Sequence, residues 1–182
     1  MRTQLLTMGL ALVLGLPATT AAQERMPHAG AGAVSGELSM FLPQQSGMTT
    51  GPELGGFYEH YLTARDSLRV GGAWANPRQE ADSNARTRQI RLGGDLIHNW
   101  EGGSVHPFVG AGLGAYFLQP RVNGVNVGSS ATKLGGTLLG GAEFFTSKTF
   151  SVKGEARYNL VQKSGPYDPS GLSLAIGVKS YF

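Results

Sequence analysis

Between Phe150 and Leu160 the chain alternates with a period of two. Phe150, Val152, Gly154, Ala156, Tyr158 and Leu160 share one parity; Ser151, Lys153, Glu155, Arg157 and Asn159 share the other. A helix would spread these charges around its circumference, whereas a strand places them all on one face. The last segment repeats the pattern, with Leu172, Leu174, Ile176, Val178 and Phe182 opposite Ser173, Ala175, Gly177, Lys179 and Tyr181. The same reading along the chain predicts eight strands, near 32–42, 53–62, 67–75, 87–98, 105–117, 132–145, 150–160 and 170–182. At a tilt near 40°, ten strand residues climb about 25 Å, the height of the apolar band of an outer membrane.

The connections alternate as well. Those near Thr63–Asp66, Asn99–Ser104 and Thr146–Thr149 are short. Those near Pro43–Pro52, Asn76–Arg86, Gln119–Ala131 and Val161–Pro169 are longer and rich in Pro, Gly, Asn and Ser. Short periplasmic turns opposite longer external loops are the asymmetry of outer-membrane barrels, and this order puts both ends of the strand array on the periplasmic side. The loop Asn76–Arg86, with Arg78, Glu80, Asp82 and Arg86, reads as solvated.

Alternation alone does not say which face is inside. Two features favour lipid on the apolar face. Its aromatic residues gather near strand ends: Trp74, Phe117 and Tyr158 toward the external rim, and Trp100, Phe144, Phe150 and Phe182 toward the periplasmic rim, with Tyr58 as a mid-strand exception. Such girdles mark membrane interfaces. The opposite face carries Glu37, Glu59, Asp95, Glu143 and Glu155 against Arg69, Arg91, Lys153, Arg157 and Lys179. Five acids and five bases suit an enclosed interior, where charges must be paired. Short turns centred on Ala64 and Lys148 predict Glu59 opposite Arg69 and Glu143 opposite Lys153, as a structural network. An open sheet in lipid would leave edge N–H and C=O groups unpaired, so the first and last strands must join. The predicted fold is all-β: an eight-stranded antiparallel up-and-down transmembrane barrel with a polar, filled interior.

The N-terminus fits this solvent. Arg2 precedes an apolar run from Leu5 to Leu16, Pro17 breaks it, and Ala18-Thr19-Thr20-Ala21-Ala22 offers small residues for signal peptidase. The run is too short to span a bilayer as a helix, so residues 1–22 read as a cleaved secretory signal peptide. Residues 23–31 form a short periplasmic extension and 32–182 the barrel. Charged residues make up only 15% of the chain, against about 25% in soluble proteins. The 28 glycines are dispersed, as suits tightly curved strands, and no cysteine is present. The net charge of +3 comes from scattered basic residues and gives no reason to expect nucleic acid as a partner.

Three further stretches carry a resemblance: Pro107-Phe108-Val109-Gly110-Ala111-Gly112-Leu113-Gly114, Gly140-Gly141-Ala142-Glu143-Phe144-Phe145 and Lys153-Gly154-Glu155-Ala156-Arg157-Tyr158. With the strand order they make the chain from Gly32 to Phe182 resemble the outer-membrane β-barrel domain family, related to the OmpA transmembrane domain. The resemblance implies a porin-like small barrel in a Gram-negative type of cell envelope. Its implied partners are outer-membrane lipids, lipopolysaccharide and the barrel-assembly machinery. Gly177 and Phe182 match the terminal assembly signal, while Ser180 stands where a large apolar residue is common.

Candidate chemistry is sparse. Of the histidines, His28 lies in the extension, His60 and His98 on the lipid-facing parity, and His106 opens the fifth strand. None has a neighbour at metal-ligand spacing. The external loops offer Ser46, Ser83, Ser129 and Ser164 without a nearby histidine to act as base. The paired glycines lack the Lys-Ser/Thr and helix of a phosphate loop. No cofactor and no catalytic or metal residues are expected. The leading function is non-enzymatic, structural or surface-interacting through the external loops, with their ligand unnamed. The alternatives are a narrow channel for ions or small solutes and a lipid-modifying enzyme.

Overall fold

The computed structural model describes residues 27–182 except 83 and 101. The predicted signal peptide and the start of the extension lie outside the described residues. Nine strands run β1 (Gly32–Pro43), β2 (Gly51–Tyr61), β3 (Asp66–Ala75), β4 (Ala85–Asn99), β5 (Val105–Val122), β6 (Val125–Asn126), β7 (Ala131–Phe145), β8 (Phe150–Val161) and β9 (Gly171–Tyr181). All but the two-residue β6 match the eight predicted segments to within a few residues. Every pairing is antiparallel, in the order β4-β3-β2-β1-β9-β8-β7-β5, and β4 pairs with β5 to close the ring. The seam between first and last strands runs from Ala33 opposite Tyr181 to Pro43 opposite Gly171, and reciprocal Gly32–Phe182 backbone hydrogen bonds extend it. No sheet edge faces lipid, as membrane solvation requires. An eight-stranded, closed, antiparallel up-and-down barrel is the architecture.

The burial pattern fixes the faces. Leu38, Leu54, Leu96, Leu113, Leu134, Leu138 and Ile176 point outward, all more than half exposed. The alternate positions are buried and mostly polar, with Phe41, Phe57, Ile97 and Phe108 among the apolar exceptions. A charge placed outward at mid-strand should therefore be costly. Leu138→Arg is expected to lower stability in bilayers by about 2–4 kcal/mol, while Arg at the exposed loop position Asn84 should change it little. Equal urea-unfolding midpoints for the two variants would reverse the assignment of faces.

Girdle aromatics follow the register. Trp74 lies opposite Ile90, which lies opposite Phe117, making one row across β3, β4 and β5. Tyr58 is not mid-strand: β2 spans Gly51–Tyr61, so Tyr58 sits near the periplasmic end, with its ring 6.4 Å from that of Phe182.

The fifth barrel strand runs past its predicted end, through Pro120. Pro120 accepts from Val127 N–H at 3.0 Å. Its ring nitrogen points to that same side, so the β4 ladder loses no donor and the strand continues. Asn123 and Gly124, both at positive φ, then turn it into β6.

The long loops are not merely solvated. Pro77 is fully buried, Met48 is buried, and β4 begins at Ala85, so Arg86 is a strand residue. Met48 bridges Gln79. Thr49 N–H donates to Arg78, and Glu80 N–H to Gly47. Gln45 accepts from Asp168 N–H at 2.7 Å. Tyr167 packs against the buried cluster of Tyr116, Leu118 and Val161, and burial pushes its hydroxyl up to about 12. The loops after β1, β3 and β8 thus form one cap over the external mouth.

Candidate functional site

The ten charged residues that the alternation assigned to the interior are all buried in the lumen, each no more than 8% exposed. Glu53, which the sequence reading left out, joins them, so six acids face five bases. Register explains which positions face inward; the width of the barrel explains how they pair.

At the periplasmic end, Lys179 Nζ lies 3.0 Å from both Glu59 and Glu143 and donates to Tyr61 Oη at 3.0 Å. Ser67 donates to Glu59 at 2.5 Å. Ser151 and Tyr181 both donate to Glu143. Glu59 also takes Arg69 Nε at 3.2 Å, which links this cluster to the next.

Glu155 is the hub of the middle cluster. It receives Arg69 at 2.6 Å, Lys153 at 3.3 Å and Arg157 at 2.6 Å. Lys153 also pairs with Glu37, and Arg157 lies 3.6 Å from Asp95. The Arg69–Glu155 pair joins β3 to β8, which stand four places apart in a ring of eight. It spans the full diameter. Phe57 sits among these cations, 4.6 Å from Arg157 and 5.3–5.6 Å from Arg69, Arg91 and Lys153, a desolvated arrangement in which the ring face attracts positive charge. Arg91 makes no ion pair within 4 Å among the described residues and acts on Glu53 and Asp95 at longer range.

Glu59 faces Arg69 in the register and is bonded to it. Glu143 faces Lys153 in the register but is not bonded to it: Lys153 turns to Glu37 and Glu155, and Glu143 takes Lys179. In a lumen this narrow a long side chain reaches strands two or more places away, so the facing residue on the neighbouring strand has no privilege. Tyr61, Tyr181, Ser67, Ser151 and Phe57 were not singled out in the sequence, although their inward parity was the available signal.

The histidines stay apart. His98 Nδ1 lies 2.7 Å from Asp66 on the lipid-facing side of the periplasmic rim, and His106 is buried, hydrogen-bonded to Gly103 O at 2.9 Å. Ser46, Ser129 and Ser164 belong to the opposite, external end; Ser83 lies outside the described residues. Gly177 lies opposite Glu37, where a Cβ would come within 2.9 Å of the Glu37 side chain. Phe182 covers Gly32 on the seam.

The family model for the outer membrane protein beta-barrel domain matches residues 8–182. The chain belongs to that family. Membership places it in the outer membrane. No curated protein matches it significantly. Its fold is similar to that of Neisserial surface protein A (TM-score 0.67, 15% identity, 84% of this chain and 96% of that one). It is also similar to the N-terminal barrel of Pseudomonas aeruginosa OprF (0.60, 14%, 86% and 100%). The outer membrane enzyme PagL shares the architecture (0.50, 19%, 80% and 98%), so membership of the fold does not decide activity.

Proposed function

We propose that this member of the family is a non-enzymatic barrel whose role is structural or surface-interacting, exercised through its external loops. One observation carries the reading: the loops after β1, β3 and β8 are tied into a single cap on a lumen crossed by salt bridges. A cap of hydrogen-bonded loops is a surface suited to contact, and a crossed lumen is poorly suited to passage. Against lipid-modifying chemistry, all four histidines lie at the periplasmic end, a barrel height away from the external serines. On this reading the chain is exported through cleavage after Ala22, and β9 with Gly177 and Phe182 engages the barrel-assembly machinery. The walls and loops then meet outer-membrane lipids and lipopolysaccharide.

Protein reconstituted in planar bilayers should leave conductance at baseline, and lipid A from cells expressing it should keep its mass. Stable unitary currents would establish the channel reading instead. A lipid A species missing an acyl chain or phosphate would establish the enzyme.

A further inference from the structure

Above the external girdle the outward face changes character. Ile90 stands in the girdle row between Trp74 and Phe117. Two residues beyond it on β4 is Arg88, and four beyond is Arg86, directly opposite Arg121 of β5. Arg78 forms a bridge with Arg86 from the other side. Like charges facing each other across a ladder are destabilising. Glu80 and Asp82, in the adjoining loop, make no ion pair with these arginines within 4 Å among the described residues. Arg121 donates one amino group to Gly124 O, yet its Nε is buried without an acceptor. The exposed part of the Arg121 guanidinium is its terminal amino end, which shares the outward face with Arg86 and Arg88.

Height identifies what this basic cluster faces. Four strand residues advance about 14 Å, or roughly 10 Å along the membrane normal at a tilt near 40°. The girdle aromatics mark the edge of the hydrocarbon, so Arg86 and Arg121 stand at the level of the outer-leaflet headgroups, with Arg88 just below. Guanidinium groups bind phosphate oxygens in bidentate fashion. We propose that Arg86, Arg88 and Arg121, flanked by Arg78, form a binding site for the phosphate of an outer-leaflet lipid headgroup. The inference rests on the orientation that puts the loop cap outside, and it adds a defined lipid contact to the proposed surface role.

The test uses purified, folded protein in detergent, titrated with bisphosphorylated lipid A and read by native mass spectrometry. The wild type should retain the lipid. The double variant Arg86→Gln/Arg121→Gln should bind it about ten-fold more weakly or worse, as expected for loss of charge-assisted hydrogen bonds. Arg86→Lys/Arg121→Lys should fall between. Dephosphorylated lipid A should bind the wild type no better than the phosphorylated lipid binds the glutamine variant. Equal retention by wild type and glutamine variant, or by phosphorylated and dephosphorylated lipid, overturns the site. Displacement of the lipid by equimolar inorganic pyrophosphate would make the ligand a soluble phosphate and overturn the lipid assignment. Heat-dependent gel mobility verifies folding; if the glutamine variant does not fold, the comparison of the two lipids on wild-type protein decides. None of these outcomes depends on conductance or lipid A turnover, so the site and the non-enzymatic reading stand or fall separately.

Discussion

Glu155→Gln should be among the most damaging substitutions in the barrel, lowering stability by about 3–5 kcal/mol, the usual cost of leaving buried charge uncompensated. Glu155 is the shared acceptor for Arg69, Lys153 and Arg157. The amide keeps the shape and one carbonyl acceptor but leaves four cations around Phe57, namely Arg69, Arg91, Lys153 and Arg157, beside Glu37, Asp95 and a Glu59 that is shared with Lys179. Removing a cation as well should relieve the imbalance, so Glu155→Gln/Arg157→Met is expected to be more stable than Glu155→Gln alone. Urea unfolding in bilayers measures both. A loss below about 0.5 kcal/mol, typical of surface substitutions, would mean that water screens the lumen, and conductance should then rise with it.

The sequence and the structure part company at identifiable places. Strand number, parity and the inward charges are legible because a strand records its two faces in alternate residues, and a membrane makes those faces chemically opposite. Tyr58 was misplaced because the start of β2 at Gly51 lies in a Pro- and Gly-rich stretch where alternation is weak, and Glu53 was missed because it stood at the very edge of the predicted strand. The continuation of β5 past Pro120 was hidden because proline normally ends a ladder, and only the side its nitrogen faces decides. The loop cap was not legible, since Met48 meeting Gln79 and Gln45 meeting Asp168 depend on bringing distant loops to one mouth. Charge pairing was half legible. Glu59 and Arg69 are both register neighbours and bonded, but Arg69 also crosses the diameter to Glu155, a contact that no local rule of spacing contains.

That limit defines the sharpest experiment on the periplasmic cluster. Lys179 is the cation that Glu143 shares with Glu59, whereas Lys153 merely faces Glu143 across β7 and β8. Lys179→Met should cost about 3–5 kcal/mol: it strips Glu143 of its ion partner, leaving only Ser151 and the Tyr181 hydroxyl, while Glu59 keeps Arg69. A double-mutant cycle of Glu143→Gln with Lys179→Met should show a coupling of about 1–3 kcal/mol, within the range for residues in one salt-bridge network. The same cycle with Lys153→Met should be additive to within about 0.5 kcal/mol, because their charges are engaged elsewhere. If the larger coupling falls on Lys153, adjacent-strand register governs pairing after all, and the cross-lumen network is wrong in its periplasmic half. If both cycles are additive, Glu143 is held by the two hydroxyls rather than by charge, and Ser151→Ala with Tyr181→Phe becomes the pair that should destabilise the barrel.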